Sequence, residues 1–462
     1  MLNFWDFEAW KGVALITVLL AALFVANMLK RKIRFLHESL IPTSVLGGII
    51  LLVISSIYQA FTGSSMFDTN LFGGNGMANL EVITYHALAL GFIATTFKSS
   101  GDKGGAKRRV EIFNTGVTTV ATYLLQAVVG MGLTLVIALV VDGFFPAAGV
   151  LLPFGYGQGT GQALNYGTIY ETDFGFVGGK SFGLTVAALG FLSASIGGVI
   201  YLNILKKKGK IQVADAENIE DLTLEEVQGK DEIPMNGAMD KLTVQIGLVF
   251  VAYLLAYGLM YVLGLILPGM KATIYGFNFL IGVLMATLVK FVLGLFKKSK
   301  VMHRQYVSNF MMTRISNFCF DVMVVAGIAA IRIEMVKDYW WILLLLGVVG
   351  LTITYFYNSF IARKFFPEYE HEQFLAMYGM LTGTASTGII LLRELDPHFK
   401  TPVADNLVYQ NFPAIVFGFP MMLLATLAPK QPYLTYIILV AFFIMMNVIL
   451  FRRQIFLKNK TK

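Results

Sequence analysis

Hydrophobic residues run through this chain in long unbroken blocks, not in the alternating or one-faced patterns of a soluble domain. A helix that crosses hydrocarbon needs about 20 predominantly apolar residues. Eleven stretches approximate that length: 12–28, 41–61, 78–98, 113–141, 180–204, 242–267, 274–296, 310–331, 339–361, 403–428 and 433–451. Two further segments, about 145–170 and 374–395, are apolar at the edges and polar in the middle. Their centres read Phe154-Gly-Tyr-Gly-Gln-Gly-Thr-Gly-Gln-Ala163 and Tyr378-Gly-Met-Leu-Thr-Gly-Thr-Ala-Ser-Thr387. At a constant offset of 224, Gly155 matches Gly379, Gly159 matches Gly383 and Thr160 matches Thr384. Glycine interrupts helices, and free backbone groups are costly in hydrocarbon. Broken apolar segments at corresponding places in two halves predict a transporter binding site.

Charge decides how the two broken segments run. Cytoplasmic loops of membrane proteins are enriched in lysine and arginine. With Lys30 to Arg34 inside, the N-terminus is outside, and Lys98, Lys103, Lys107, Arg108 and Arg109 return to the inside. A single crossing by 145–170 would strand Lys206, Lys207, Lys208 and Lys210 outside. A segment that dips in from the outer face and returns keeps them inside. By the same reasoning, 374–395 dips from the inner face, and Arg452, Arg453, Lys458, Lys460 and Lys462 end inside. Only Lys11, Lys180, Lys271, Arg332, Lys337 and Lys430 are left outside. The predicted fold is an all-α polytopic membrane protein. It is an inverted repeat of five transmembrane helices plus one re-entrant hairpin each, with one extra C-terminal helix. The first repeat spans 1–205 and the second 241–430. A cytoplasmic charged linker at 206–240 joins them, and 431–462 adds a helix and a basic tail.

Composition agrees with a membrane setting. Of 462 residues, 56% are hydrophobic and 14% charged, against about 25% charged in a soluble domain. The net charge of +8 sits in short clusters between apolar runs, which argues for membrane loops and against nucleic acid. The single cysteine, Cys319, excludes an internal disulfide and a cysteine-based metal cluster. The first apolar run lacks a basic leader and a cleavage site, and reads as a retained helix.

The two tracts supply the chemistry. Unwound backbone exposes carbonyls to an alkali cation, and the helix starts that follow present amides to a carboxylate. Thr160, Thr382, Thr384, Ser386 and Thr387 add hydroxyls, while Gln158, Gln162 and Asn165 add amides. Without histidine or cysteine in either tract, a transition metal is a poor fit. The competing reading of the glycines is close helix packing alone. Asp321 lies mid-helix with Asn317 one turn earlier. It reads either as a cation or proton site or as a structural partner of Arg314. His86 reads as a proton relay or as a hydrogen-bonded structural histidine, and Glu81 as a solvated residue near the outer edge. Asn358, Tyr355, Tyr409, Gln410 and Asn411 are further polar points, and Pro42 marks a helix start. No paired carboxylates, Ser/His/Asp or Cys/His grouping lies near either tract, which excludes the usual enzyme classes.

These residues resemble the bacterial sodium/glutamate symporters. Gly157-Gln-Gly-Thr-Gly-Gln-Ala163 is similar to that family's Gly-His-Gly-Thr-Gly-Ala-Ala. Ile41-Pro-Thr-Ser-Val-Leu-Gly-Gly48 is similar to its Ile-Pro-Glu-Pro-Val-Ala-Gly-Gly, and Asn317 falls on a family asparagine. The second tract departs more. Leu381 replaces a glycine and Ser386 a proline, while in the first tract Gln158 replaces a histidine. The resemblance, covering roughly 12–428, implies a homodimer in the bacterial inner membrane with a hairpin-bearing domain that moves like an elevator. The resulting expectation is import of glutamate or a related small carboxylate, coupled to sodium and needing no other metal or cofactor. Substrate is assigned to Gln158, Gly159, Thr160, Gly161, Gln162, Gly383, Thr384, Ser386, Thr387 and Asn411, and the cation to Asn317, Asp321 and Thr382. The alternative is a cation/proton antiporter using Asp321. Neither tract holds a basic residue to pair with a side-chain carboxylate, and Arg314 or Arg393 is the candidate to supply one.

Overall fold

Each long apolar block folds as a helix, because hydrocarbon leaves its backbone no other partners. The computed structural model describes residues 3–98, 105–209, 232–235, 239–268, 271–396 and 400–456. Most of the 206–240 linker and the end of the basic tail therefore lie outside the described residues. The helices are α1 (Phe7–Lys32), α2 (Thr43–Thr62), α3 (Gly76–Phe97), α4 (Ala106–Val140), α5 (Leu151–Phe174), α6 (Gly179–Lys207), α7 (Lys241–Ile266) and α8 (Asn278–Lys298). They continue as α9 (Asn309–Ala329), α10 (Trp340–Phe365), α11 (Glu370–Thr382), α12 (Ala385–Arg393), α13 (Val403–Tyr409), α14 (Asn411–Leu427) and α15 (Pro432–Phe456). Short helical turns connect several of them, and an isolated bridge joins Glu232 to Gln305. Among the described residues, ten helices are long and apolar enough to cross a membrane: α1 to α4, α6 to α10 and α15.

Nine of the eleven predicted stretches are thus single helices. The start of 274–296 falls in a short helix, Lys271–Gly276, that a turn at Phe277 separates from α8, and 403–428 divides into α13 and α14 at Gln410. Pro413 supplies the reason for the latter. It has no amide to give the Tyr409 carbonyl, and its ring crowds that carbonyl. Pro420 interrupts the same segment again. Pro42 stands at the N-cap of α2, one residue earlier than a first helical position.

Packing separates two compact units. One contains residues 82–103 and 216–323, hence most of α3 with α7, α8 and most of α9. Its core gathers Ile93, Ala94, Phe97, Val249, Ala252, Ala286, Val307 and Met312. Asn278 Nδ2 donates to the Tyr85 carbonyl at 3.0 Å, and the hydroxyls of Thr95 and Ser316 meet at 2.7 Å. His86 Nδ1 is 2.7 Å from the Tyr253 hydroxyl, the structural role among its two readings.

The other unit comprises residues 1–81, 104–215 and 324–462. Both sequence halves contribute to each unit. Here α5 packs closely along α6, which small residues permit: a Cβ on Gly183 would lie 2.4 Å from the Ala163 carbonyl oxygen. α15, the additional helix, lies along α4, where Arg452 Nη1 donates to Asn114 Oδ1 at 3.1 Å. One expectation is overturned in this unit. Glu81 is not solvated: its side chain is 13% exposed and pairs with Lys180 at 2.8 Å and Arg332 at 3.2 Å. A carboxylate leaving water needs such partners, and here two cations distant in sequence supply them.

Candidate functional site

Both glycine-rich tracts break their helices, at matched positions. In α5, Gly159 has φ 74° and ψ −170°, a backbone that L-residues avoid. In the second tract, α11 ends at Thr382 and α12 begins at Ala385, with Gly383 at φ −145° and ψ −106° and Thr384 extended between them. The chain folds back at each break. The Phe154 and Tyr166 rings stack with centroids 3.8 Å apart, whereas a straight helix would separate twelve residues by about 18 Å. Likewise a Cβ on Gly379 would lie 2.9 Å from the Gly388 Cα, which brings α11 and α12 side by side.

A broken helix strands carbonyls that would have accepted from the amide four residues on. In a continuous helix the Gly157 carbonyl would pair with Gly161, and the Leu381 carbonyl with Ala385. Instead the Tyr123 hydroxyl donates to Gly157 O at 3.0 Å, and Gln126 Nε2 donates to Leu381 O at 2.9 Å. Gly157 and Leu381 are related by the same offset of 224, and both caps come from α4. Thr382 closes its own turn by donating to the Tyr378 carbonyl at 2.6 Å.

The two breaks also share a wall on α6. A Cβ on Gly190 would sit 2.4 Å from the Thr382 carbonyl oxygen and 3.0 Å from Tyr156 Cδ2. One turn on, the Tyr156 hydroxyl lies 2.8 Å from Ser193 Oγ, and Tyr378 donates to the Ser193 carbonyl at 2.8 Å. The last turn of α9 closes on the first break, where a Cβ on Gly327 would meet Thr160 Cβ at 2.6 Å.

The assigned residues fall into three groups. Gly159, Thr160, Gly161 and Gln162 are buried at the first break, with Gln158 half-buried beside them. Thr382, Gly383 and Thr387 are buried at the second with Thr384 half-buried, and the Thr384 and Thr387 hydroxyls lie 3.4 Å apart. The side chains of Ser386 and Asn411 lie outside the described residues. Asn317 and Asp321 belong to the other unit, on the exposed side of α9 together with Arg314. Arg314 lies over the Phe310 ring at 5.0 Å, and Arg393 closes α12 at the end far from the break.

The polar atoms at the breaks differ in kind. Gln162 accepts from Asn165 Nδ2 at 3.2 Å, and its own buried Nε2 has no hydrogen-bond partner. It lies one turn into the arm whose first amides open toward Gly159. Donors in that arrangement suit an anion. Near the second break the atoms that lack partners are acceptors, Gln126 Oε1 and Asn358 Oδ1. Thr115, Thr119, Thr122 and Gln126, none of them singled out by the sequence, form a buried polar stripe along α4. Thr119 donates to Gln410 Oε1 at 2.8 Å, and Gln126 Nε2 also donates to Thr354 Oγ1 at 2.8 Å. Their spacing of four, three and four residues was the available signal, diluted by the apolar residues between them.

A polytopic helical protein with two matched helix breaks meeting inside it is the class this architecture defines. The chain belongs to the sodium/glutamate symporter family, whose model matches residues 7–381. The match ends at the residue before Thr382, so the second break and α12 to α15 lie beyond it. No curated protein matches the chain.

Proposed function

We propose that the protein is a sodium-coupled secondary transporter that imports glutamate or a related small carboxylate by alternating access. The carrying observation is the pair of breaks at Gly159 and Gly383, held against one another on α6 and capped by one helix. A carboxylate meets the amides of residues 160–162 and the unpaired Gln162 Nε2 at the first break. Gly383, Thr384 and Thr387 complete its surroundings from the second, with Ser386 and Asn411 as further contributors. Family membership supports sodium as the coupling ion.

The two folded-back tracts are re-entrant hairpins entering from opposite faces in an inverted repeat. Their bases support this. The first lies beside residues that the charge pattern assigns outside: Glu171 accepts from the backbone amide of Lys180, and the Lys430 ammonium lies 5.8 Å from the Phe174 ring. The second meets cations assigned inside: Glu370 and His371 line a cavity of about 350 Å³ with Lys208 and Arg363. The antiporter alternative now draws on Asp321 alone, since His86 is engaged by Tyr253.

Purified protein in liposomes, given an inward sodium gradient, takes up an acidic amino acid or dicarboxylate. Absence of uptake for every acidic amino acid, dicarboxylate and hydroxycarboxylate offered would overturn the proposal. Proton-coupled cation flux abolished by Asp321→Asn would replace it with the antiporter.

A further inference from the structure

Two buried amide side chains, Gln126 on α4 and Asn358 on α10, each leave an oxygen without a hydrogen-bond partner. Gln126 is fully buried and Asn358 is 2% exposed. The orientation of both amides is fixed by neighbours that only accept. Gln126 directs its Nε2 to the Leu381 carbonyl at 2.9 Å, and Asn358 directs its Nδ2 to the Thr354 carbonyl at 2.9 Å. A carbonyl takes no hydrogen bond from an oxygen, so neither amide gains by rotating. Gln126 Oε1 and Asn358 Oδ1 are therefore committed to facing something other than these partners.

The two side chains belong to one cluster. Thr122 and Gln126 are a turn apart on α4, and Thr354 and Asn358 a turn apart on α10. Gln126 Nε2 bonds Thr354 Oγ1 at 2.8 Å, and Asn358 Nδ2 reaches Thr122 Oγ1 at 3.5 Å. Leu381, whose carbonyl Gln126 caps, is two residues from Gly383. The cluster is thus rich in oxygen, hydrogen-bonded through threonine hydroxyls and backbone carbonyls, and tied directly to the second helix break.

A buried acceptor with no donor costs free energy unless something electropositive meets it. We infer that Gln126 Oε1 and Asn358 Oδ1 are ligands for a desolvated alkali cation, sodium, bound beside the second break. Hard cations prefer oxygen ligands, and amide oxygens have no proton to lose, so the site holds its ion without titrating. Neutral ligands give weaker binding than carboxylates, as release on each transport cycle requires. This assignment rests on the transporter reading and moves the cation from Asn317 and Asp321 to Gln126, which the sequence did not single out, and Asn358, one of its further polar points. Gln126 then has two tasks: its nitrogen holds the end of α11, and its oxygen holds the ion.

The test uses the full-length protein in detergent, with thermal unfolding followed against sodium at constant ionic strength in potassium. Sodium raises the wild-type midpoint temperature in a saturable way. In Asn358→Leu the sodium concentration for half the effect rises at least tenfold, while the midpoint in potassium alone is kept. Asn358→Asp, which retains an oxygen and adds charge, lowers that concentration, and serves if the leucine variant does not fold. Unchanged sodium dependence in both variants overturns the inference, with the transporter reading intact. A wild type insensitive to sodium, yet taking up an acidic amino acid on a proton gradient, overturns the sodium assignment and the sodium coupling together.

Discussion

The break at Gly159 and the break at Gly383 occupy equivalent positions but offer opposite chemistry. The first is made by a left-handed glycine and leaves a donor, Gln162 Nε2, without a partner. The second is made by Gly383 and Thr384 at negative φ, and the nearby atoms without partners are acceptors, Gln126 Oε1 and Asn358 Oδ1. Under the proposed function, one geometry repeated with inverted polarity gives a carboxylate and sodium adjacent places. The family match covers the first break and ends at Leu381, just before the second.

The comparison breaks most completely at the wall common to both sites. Gly190→Val drives a side chain into the Thr382 carbonyl and the Tyr156 ring, and overpacking of this kind costs about 1–3 kcal/mol. Uptake falls below a tenth of wild type, and near-normal transport would mean that α6 does not brace the breaks. Next comes the anchoring of the first hairpin's base. Glu81→Ala leaves Lys180 and Arg332 without their carboxylate and destabilises by about 3 kcal/mol, read as a fall in unfolding temperature.

A finer test sets the two glycines against each other. Gly159→Ala forces an L-residue to φ 74°, a strain of roughly 1–3 kcal/mol, and uptake drops at least tenfold. Gly383→Ala meets the Thr387 hydroxyl at 2.8 Å and the Phe191 ring at 3.0 Å, both on side chains, at φ −145° and ψ −106°, outside the regular regions but without the positive φ of Gly159. Its uptake falls only a few-fold. Equal losses would erase the distinction between the breaks.

The smallest effect concerns the second hairpin's base. Burial pushes the Glu394 carboxyl above its ordinary value of 4.5, with His37 and Lys30 pulling it back. The folded protein therefore holds this proton more tightly than the unfolded chain. That contribution to stability is fully present below pH 4.5 and is lost as pH rises through the folded value. Glu394→Gln flattens this part of the pH profile, and an unchanged profile would remove Glu394 from it.

Which parts were legible in the sequence follows from how local their causes are. The breaks at Gly159 and Gly383 could be read because glycine acts on its own backbone, and the constant offset of 224 marked them as a pair. Ten of the spanning helices could be read because length and apolarity suffice. The division of 403–428 was also local, since Pro413 was visible and outweighed by the apolar run around it. Other features depend on residues distant in the chain. Glu81 looked solvated because Lys180 and Arg332 are brought to it only by folding. Tyr123 and Gln126 looked like ordinary members of an apolar helix, since their targets are carbonyls stranded in other elements. Asn317 and Asp321 were conspicuous as polar residues in hydrocarbon, yet they fall in the unit that does not contain the breaks.

Gly190 carries one further consequence. It touches the backbone of the second break and the ring that precedes the first, so displacement on either side is felt on the other without an intervening relay. Thermodynamic reciprocity then applies in its simplest form. Whatever factor one solute contributes to the affinity of the other, it receives back unchanged. A methyl-sized adjustment at this position would loosen both grips together, turning a tightly geared carrier into one that slips.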